Sequence, residues 1–430
     1  MLAAVLLDRI KNGGAEDRIQ RSQYGFRPKK STADALFVAK RMIDAAWSLA
    51  DGTLMMVLLD WRKAFDRVSG DAMLSALRRF GLPPDIVKMI HGIYTDRVFS
   101  VSDAGQESKP RVQGSGISQG CPLSPYLFII LMTVLCHDVD TQLASEFGTP
   151  ATPYVVTRDI LYADDTLLAE TRPDILQRHL DLIVEYGASY GLEIHWGKTL
   201  LLQARQSGTI HGGEGPLKPV DSTVYLGGLL SADGLPTREL TRRLGEAETT
   251  FKKLQRVWRH TNIPKQRKHE IYVACVVSKL LTGLETTWLR KRERARLDAY
   301  HVRCLRRIQN VAPSYYSRVP NKDVLLAARS QAMSNTLLCR QLVQFGKIAR
   351  MGDSALERQL LFQPGSVLPR VWPGKRPRGR PRQNWVSCVH AHAIAAAGGP
   401  GGLARLVGPD GTEQAWKATV RSYCLTASFS

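Results

Sequence analysis

Two adjacent aspartates, Asp164 and Asp165, interrupt an otherwise apolar stretch of the chain. The run Asp159-Ile-Leu-Tyr162 precedes them, with one alanine between, and Thr166-Leu-Leu-Ala169 follows. Neighbouring carboxylates are costly to bury unless a cation neutralises them. The pattern therefore predicts a β-hairpin that presents both acids at its tip to a positive charge.

A third carboxylate, Asp60, ends a second acid-poor apolar run, Leu54-Met-Met-Val-Leu-Leu-Asp60. The length and continuous apolarity of this run predict a strand that is buried on both faces. A central sheet would bring the end of this strand beside the acid pair. We therefore expect Asp60, Asp164 and Asp165 to form one cluster of carboxylates.

The order of elements before residue 236 predicts an α+β fold, in which an antiparallel sheet carries helices on one face. Ser31-Thr-Ala-Asp34 has the form of a helix start, and Gly13-Gly14 is expected to end the first helix. Besides the strand that ends at Asp60 and the hairpin around Asp164, the predicted strands are 97–102, 108–114, 192–195, 199–203 and 223–230.

The chain carries 59 Lys and Arg residues against 39 acidic residues, a net charge of +20. Such an excess indicates a polyanionic partner, most often nucleic acid. The alternatives are a soluble basic protein without such a partner, or attraction to an anionic membrane. Residues 236–310 hold 19 of the cations and only 7 acids, so most of the excess charge lies there.

Cysteine usage and apolar runs argue against several other classes of protein. The seven cysteines are scattered and never spaced as Cys-x-x-Cys, and Cys388 with His390 and His392 lacks a second metal-binding half. We expect neither structural zinc nor disulfides. The N-terminal apolar run meets Asp8, and Leu127–Cys136 is short for a membrane span. We expect an intracellular protein with no membrane partner.

Three carboxylates without a His or Cys cluster are hard oxygen ligands, which suit Mg²⁺ or Mn²⁺ better than zinc. Two such ions can activate an attacking oxygen and stabilise a leaving oxygen in phosphoryl transfer. Polymerases and nucleases both use this arrangement. An Asp-Asp pair also occurs at ordinary turns, so the neighbouring motifs must decide between these readings.

These motifs resemble those of the reverse transcriptases of retrotransposons that lack long terminal repeats. Tyr162-Ala-Asp-Asp165 matches the Tyr/Phe-x-Asp-Asp box of that family, and Asp60-Trp-Arg-Lys-Ala-Phe65 resembles its first metal box. The other matching segments, in family order along the chain, are Gln23-Tyr-Gly-Phe-Arg-Pro28, Gln119-Gly-Cys-Pro-Leu-Ser-Pro125, Gly191-Leu-Glu-Ile-His-Trp-Gly-Lys-Thr199 and Tyr225-Leu-Gly227.

The resemblance implies an RNA-directed DNA polymerase with the right-hand palm fold. Asp60, Asp164 and Asp165 would hold two Mg²⁺ or Mn²⁺ ions and carry out catalysis. The implied partners are an RNA template, a DNA primer and deoxynucleoside triphosphates. The implied location is the nucleus.

Further residues take nucleotide or primer roles only through the resemblance. Phe65 would exclude a ribose 2′-hydroxyl, Gln119 and Gly120 would contact the nucleotide, Arg27 would meet the triphosphate, and Lys198 would protonate pyrophosphate. Tyr162 and the Tyr225, Leu226 and Gly227 turn would contact primer and template. Each also has a plain structural interpretation: a core aromatic, a turn amide, a solvated cation or a packed strand.

The expected domain organisation follows the hand-like architecture of the family. The basic helical segment would be a thumb that contacts nucleic-acid phosphates. The basic run Gly374-Lys-Arg-Pro-Arg-Gly-Arg-Pro-Arg382 could be a minor-groove or RNA-contacting arm, a nuclear-import signal, or only a flexible linker. The expected parts are partial fingers (1–52), palm with fingers elements (53–235), thumb (236–312), helical extension (313–363), basic linker (364–382) and C-terminal tail (383–430).

The chain departs from the family at its beginning, where only about twenty residues precede the Gln23 motif. We therefore expect an N-terminally truncated copy of a mobile element without its own endonuclease or Cys/His knuckle. Two functions remain open: an active RNA-directed DNA polymerase, or a relic or domesticated palm-thumb module that binds nucleic acid without polymerising. A group II intron-type enzyme is an alternative within the same fold.

Overall fold

The computed structural model describes residues 2–148, 152–205, 207–213, 215–260, 262–408 and 411–426. The strands are β1 (Leu54–Leu59), β2 (Val98–Phe99), β3 (Ser102–Asp103), β4 (Gln106–Glu107), β5 (Arg111–Val112), β6 (Asp159–Tyr162), β7 (Asp165–Glu170), β8 (Leu200–Ala204), β9 (His211–Gly212), β10 (Gly215–Pro216), β11 (Pro219–Val220), β12 (Ser222–Tyr225) and β13 (Gly228–Ser231).

Helices make up most of the remaining chain, with π-helical turns at Lys11–Ala15 and Val273–Val277 and 3₁₀ turns at Trp196–Lys198 and Leu284–Thr286. The α-helices are α1 (Leu2–Ile10), α2 (Glu16–Arg18), α3 (Thr32–Ser48), α4 (Ala64–Arg67), α5 (Gly70–Arg79), α6 (Pro84–Tyr94), α7 (Ser124–Phe147), α8 (Pro173–Ser189), α9 (Thr237–Lys253), α10 (Gln255–Arg259), α11 (Lys265–Tyr272), α12 (Ser278–Leu281), α13 (Lys291–Gln309), α14 (Ser314–Ser317), α15 (Asn321–Ala327), α16 (Met333–Ala349), α17 (Leu356–Leu361), α18 (Trp385–Ala396), α19 (Pro400–Val407) and α20 (Glu413–Thr426).

The chain divides into two compact units. The first unit consists of Met1–Ala35 and Gly52–Asp221, and the second of Leu36–Asp51 and Ser222–Ser430. Helix α3 crosses the boundary between them. The domain boundaries that we expect from the sequence stay predictions.

A five-stranded sheet in the first unit has the order β11-β8-β1-β7-β6. All neighbouring pairs are antiparallel except β11 with β8, which is parallel. Strand β1 is buried at all six positions, as its continuous apolarity predicts. Its Met55, Val57 and Leu59 share a core with side chains of α5, α7 and α8. The α+β class is confirmed.

Helix α7 is the central core helix of the first unit. Among the described residues it is the one helix long and apolar enough to cross a membrane, yet 67% of its apolar stretch is buried within the protein. Phe128, Leu131 and Leu135 are fully buried in the same core as the sheet. Burial of this kind is what a core helix of a globular domain requires.

Several local signals in the sequence place helix ends correctly. The Asp34 carboxylate accepts hydrogen bonds from Ser31 N (2.9 Å) and Ser31 Oγ (2.8 Å) at the start of α3. Ser69 caps α5 by accepting from Ala72 N. These bonds satisfy donors that a helix start otherwise leaves without partners.

Gly14 takes a positive φ of 77°, which breaks the first helix where the sequence predicts, and a short second helix begins at Glu16. Two predictions of local structure are wrong. The predicted strand 192–195 is reduced to one bridge between Ile194 and Trp61, since the Trp196–Lys198 turn begins directly after it.

The second wrong prediction is a continuous strand over 223–230. The structure has a hairpin there, β12 and β13, with a turn at Leu226 and Gly227. Both turn residues have positive φ, 49° and 76°. A two-residue turn of this kind matches the right-handed twist of paired strands, which explains how a short apolar run folds back on itself.

The buried His179 of α8 should make the first unit sensitive to acid. Burial, and then the nearby Arg158, lower the His179 pKa from 6.5 to about 3. Between these two pKa values, His179 binds a proton in the unfolded chain but not in the folded chain. Stability therefore falls as the pH drops below about 6.5. We expect the wild type to lose about 1 kcal/mol more than His179→Leu between pH 7 and 5.5.

Urea unfolding of the two proteins at several pH values measures this difference. His137→Leu is the matched control, because His137 lies exposed on α7, and this variant should keep the wild-type pH dependence. Parallel curves for wild type and His179→Leu would contradict the prediction.

Candidate active site

The pairing of β1 with β7 brings the three predicted carboxylates together. Leu59 lies opposite Thr166 in the antiparallel register, so Asp60 directly follows β1 at the point where β7 begins with Asp165. Trp61 Nε1 donates to Thr166 Oγ1 at 3.1 Å and ties the chain beyond Asp60 to β7. The predicted cluster of carboxylates thus forms at the ends of neighbouring strands.

The hairpin of β6 and β7 carries the acid pair in its turn, as the sequence predicts. Tyr162, which is half-buried, pairs with Asp165 and closes the turn, and Ala163 and Asp164 are the two turn residues. Ala163 has a φ of 59°, in the left-handed region. A residue with a Cβ adopts this conformation at a cost, so surrounding contacts must hold it.

Like charges and partial desolvation disfavour ionisation of the acid pair. Desolvation raises the pKa of Asp164, and Asp60 raises it further. Desolvation, Asp164 and Asp60 together raise the pKa of Asp165 to about 6. A cation among the three groups would relieve this repulsion.

Lys198 supplies the one positive charge in direct contact with the cluster, as far as the described residues show. Its Nζ lies 3.2 Å from Asp60 Oδ2, and both side chains are substantially exposed. The backbone positions the pair: His195 N donates to Asp60 O at 2.7 Å, and Lys198 N donates to His195 O at 3.0 Å. Lys198 thus reaches Asp60 from the turn that directly follows the predicted strand 192–195.

The chemistry of the donor set fits a divalent cation. Asp60, Asp164 and Asp165 offer only carboxylate oxygens, which are the ligands that Mg²⁺ prefers. Within the described ranges, however, no three His, Cys, Asp or Glu side chains are arranged to hold a metal ion. The Lys198 ammonium lies beside Asp60, and the metal-binding roles of the three carboxylates stay predictions.

Phe65 and Gln119 lie in two segments that hydrogen-bond to each other. Phe65 is half-buried and its ring stacks on Phe128, with 4.5 Å between ring centroids. Phe65 O accepts from Ile117 N at 2.6 Å. The exposed Gln119 donates through Nε2 to Asp66 Oδ1 at 3.3 Å. Phe65 is therefore a core aromatic on one side, with part of its ring accessible.

The loop before α7 is held by Arg97, a residue that the sequence interpretation missed. Arg97 stacks over the Tyr94 ring at 4.2 Å and donates to Gly116 O at 2.8 Å and to Ser118 Oγ. Gly120 has a φ of 89° and open space where a Cβ would lie. The open position leaves room for a ligand to approach the backbone there.

Arg27 contacts other groups of the protein, whereas the sequence predicts that it contacts a triphosphate. Its Nε is 3.2 Å from Glu16 Oε2, and its other nitrogens donate to the backbone oxygens of Glu16, Gln20 and Gln23. Its guanidinium therefore caps the end of α2 and fixes the following loop. The nucleotide role of Arg27 stays a prediction.

The predicted primer-contacting residues 225–227 lie in the second unit. Tyr225 is buried, and Leu226 and Gly227 form the turn of the β12–β13 hairpin. Gly227 O accepts from Arg242 (2.8 Å) and from Arg243, two residues of α9. This hairpin is thus fastened to the first helix of the basic segment.

Gln23 is the residue that holds the Ala163 turn, and the sequence interpretation assigned it no role. Gln23 is fully buried, and its Oε1 accepts from Ala163 N (3.0 Å) and Gly25 N (2.8 Å). Gly25 lies so close to the turn that a Cβ would be 2.3 Å from Ala163 N. The Gln-Tyr-Gly motif is therefore a support for the acid-bearing turn.

Backbone bonds reinforce this support. Tyr24 N donates to Leu161 O (2.7 Å), and Leu161 N donates to Ser22 O (2.9 Å), so the segment lies along the free edge of β6. The signal that could have revealed it is Gly25, because a glycine often marks a point where another backbone approaches closely.

Comparison with known proteins identifies the family. The family described as "Reverse transcriptase (RNA-dependent DNA polymerase)" matches this chain over residues 1–228, which is more than half of its length. The chain therefore belongs to the reverse transcriptase family. The relatives are polymerases of retrotransposons without long terminal repeats, which confirms the predicted class.

Two relatives illustrate the extent of the similarity. The chain is 28% identical over 280 residues to the Pol polyprotein of the type-2 retrotransposable element R2DM of Drosophila melanogaster, covering 62% of this chain and 25% of the relative. It is 32% identical over 211 residues to the corresponding type-1 R2 protein of Popillia japonica, covering 46% and 34%. The chain thus spans about a quarter to a third of the length of these relatives.

Solved structures show only a distant likeness. Apo telomerase from Candida tropicalis has a TM-score of 0.39 and 12% identity, covering 84% of this chain and 59% of that chain. The RNA-dependent RNA polymerase of a human picobirnavirus has a TM-score of 0.37 and 13% identity, covering 69% and 52%. Neither likeness carries a conclusion about function.

The role of Gln23 in holding the turn can be tested directly. Gln23→Met removes the acceptor of two buried N–H groups, each of which costs about 1–3 kcal/mol without a partner. We expect a lower melting temperature and at least about tenfold slower primer extension, because the turn that carries Asp164 loses its support. Gln142→Met, which removes an exposed bond to Glu146 on α7, should change neither. Full extension activity in Gln23→Met would contradict the role.

Proposed function

We propose that this chain is an RNA-directed DNA polymerase that adds deoxynucleotides to a primer 3′ end as part of a retrotransposon. The observation that carries the proposal is the convergence of Asp60, Asp164 and Asp165 at the ends of β1 and β7. Membership of the reverse transcriptase family supports it. The intracellular, nuclear location remains part of the proposal.

Asp60, Asp164 and Asp165 would hold two Mg²⁺ or Mn²⁺ ions. When bound, such ions supply charge stabilisation for phosphoryl transfer and lower the pKa of an attacking hydroxyl. The protein's own contribution is to keep three carboxylates close despite their repulsion, with the turn fixed by Gln23 so that no rearrangement is needed.

Phe65 and Gln119 would define the nucleotide pocket. The accessible part of the Phe65 ring is fixed by its stacking on Phe128, so a ribose 2′-hydroxyl would meet a rigid aromatic edge. Gln119 can reach a nucleotide by exchanging its 3.3 Å bond to Asp66 for one to the substrate. The open position at Gly120 would admit the nucleotide close to the backbone.

Lys198 has two roles in the proposal. Its ammonium pairs with Asp60, and it must leave Asp60 when that carboxylate takes up a cation. Once released, the Nζ–H group is close enough to the acid cluster to donate a proton to departing pyrophosphate. General acid catalysis of this kind contributes about 10²–10⁴-fold to rates.

The second candidate function is a palm-thumb module that binds nucleic acid without polymerising. The basic segment supports nucleic-acid binding in either case, because Arg292 and Arg307 of α13 are exposed. Cations of this kind would follow the template-primer backbone without reading its sequence.

Primer extension on a homopolymer RNA template with Mg²⁺ or Mn²⁺ separates the two functions. We expect incorporation of deoxynucleotides by the wild type and none above background by Asp164→Asn, because that change removes a charge that the ions need. Asp103→Asn, in the exposed β3–β4 hairpin, is the matched control and should remain active. Salt-sensitive binding without incorporation by the wild type would establish the second function instead.

Lys198 variants should separate its two roles. Lys198→Met removes the competitor for Asp60, so half-saturating Mg²⁺ should fall by about two- to fivefold, the value of an exposed ion pair. The same variant should lose about 10²-fold in kcat, because the proton donor is gone. Lys198→Arg keeps the charge but not the titratable proton.

Lys198→Arg should therefore keep the wild-type Mg²⁺ dependence while losing kcat. The measurements are steady-state kcat and a Mg²⁺ titration for each protein. Unchanged kcat in Lys198→Met would exclude proton donation, and an unchanged Mg²⁺ dependence would exclude the competition for Asp60.

A further inference from the structure

Residues 375–382 form a second cluster of cations, which we term the basic arm. None of the roles proposed for the polymerase site uses it. It lies in a stretch without any acidic residue, which extends from after Glu357 to before Asp410. The arm forms neither helix nor strand, and residues 375–381 are exposed. The cations of the arm therefore have no acidic residue near them in the sequence.

Both ends of the arm are attached to the second unit. At its start, Lys375 O accepts from Ala50 N at 2.7 Å. At its end, Arg382 stacks over the Trp47 ring at 4.7 Å and donates to Asp233 O. Because both ends are fixed, the segment between them is a short loop in a defined place, which loses less entropy on binding than a free tail.

The arginines between these two attachments behave differently from Arg382. Arg376, Arg378 and Arg380 are exposed, and the described part of the chain offers them no ion pair or side-chain hydrogen bond. Elsewhere in the unit, by contrast, Arg242 and Arg243 are engaged with glutamates. The three guanidinium groups are therefore available to an external polyanion.

The backbone of the arm suits a narrow groove. Pro377 and Pro381 fix their own φ angles and favour an extended conformation in the residue before them. Gly379, between Arg378 and Arg380, has a φ of 103°, and nothing lies within 4 Å of the position of a Cβ. The Pro-Arg-Gly-Arg-Pro segment bends at residues 378–380 and carries one arginine on each side of a glycine whose backbone can approach a surface.

The minor groove of A·T-rich duplex DNA matches this arrangement. The groove is about 6 Å wide, and over A·T pairs its floor carries only acceptors, which suit guanidinium donors. A-tracts narrow the groove further and deepen its negative potential, which attracts inserted arginines. A G·C pair places an amino group on the floor, where it would meet Gly379 and the guanidinium groups unfavourably.

We propose that the basic arm binds the minor groove of A·T-rich duplex DNA through Arg378 and Arg380, with Gly379 against the groove floor. This is a DNA-binding surface in addition to the template-primer contacts of the polymerase. It would hold the enzyme on duplex DNA of suitable composition independently of the acid cluster.

Fluorescence anisotropy of the full chain with labelled nucleic acids tests this proposal. The probes are an A·T-rich duplex, a G·C duplex of the same length and a single-stranded RNA, in buffer with a chelator, so that polymerase activity plays no part. The ratio of affinities for the A·T and G·C duplexes is the readout, because other cations of the chain bind both duplexes alike.

We expect Arg378→Ala with Arg380→Ala to weaken binding of the A·T duplex by about tenfold or more, and to abolish its preference over the G·C duplex. Gly379→Val keeps every charge and should also lose the preference, since its side chain keeps the backbone from the groove floor. Arg405→Ala with Arg421→Ala removes two exposed charges of α19 and α20 and should preserve the preference.

Three results would overturn the proposal. The first is an equal loss of affinity for both duplexes and for RNA in the arginine variant, which would make the arm a general phosphate contact. The second is unchanged A·T binding in that variant. The third is a preserved preference in Gly379→Val. None of these results depends on whether the chain polymerises.

Discussion

Antiparallel pairing of β1 with β7 is the interaction on which the site depends. The register that sets Leu59 opposite Thr166 also decides where Asp60 ends up. A slip of one residue would turn every β1 side chain to the opposite face, and because both faces are packed, each side chain would meet neighbours that fit a different one. The packing of β1 thus fixes the position of Asp60, although burial does not stabilise the Asp60 carboxylate.

This pairing works against electrostatics at the strand ends. Three carboxylates are gathered there, and desolvation, followed by the charges of Asp164 and Asp60, raises the Asp165 pKa to about 6. The fold tolerates the arrangement because the turn is held by neutral contacts, chiefly Gln23, rather than by charges. Lys198 offsets part of the repulsion from an exposed position, where an ion pair is weak enough to exchange.

The sequence predicted those features whose cause is local. The β1 strand, the acid-bearing hairpin and the start of α3 at Ser31 and Asp34 follow from short runs of residues, and all three are confirmed. The approach of Asp60 to the acid pair was also predictable, since a strand end and a hairpin tip were the two places where acids met apolar runs.

The missed features depend on contacts between distant segments. From the sequence, the Gln-Tyr-Gly motif is interpreted only as a loop. Its contact with β6 is not predictable, because the bond from Ala163 N to Gln23 joins residues 140 positions apart. The same holds for Arg97, whose partners at Gly116 and Ser118 lie in another loop. The wrong prediction of a strand over 223–230 has a local cause. Leu226 adopts a positive φ, which leucine rarely does, so the sequence does not predict a turn there.

Net charge is an incomplete guide to a nucleic-acid surface, and the second unit shows why. In α9, Arg242 and Arg243 bind Glu239, Glu246 and the Gly227 carbonyl, so they stabilise a helix and a hairpin. In the basic arm, Arg376, Arg378 and Arg380 have no such partners among the described residues. Two arginines can therefore contribute equally to the charge of +20 while differing in what they offer a polyanion. An arginine already desolvated against glutamate must break that pair before it contacts a phosphate, whereas one in water exchanges solvent alone. The cations that bind nucleic acid most readily are then those that the fold does not use.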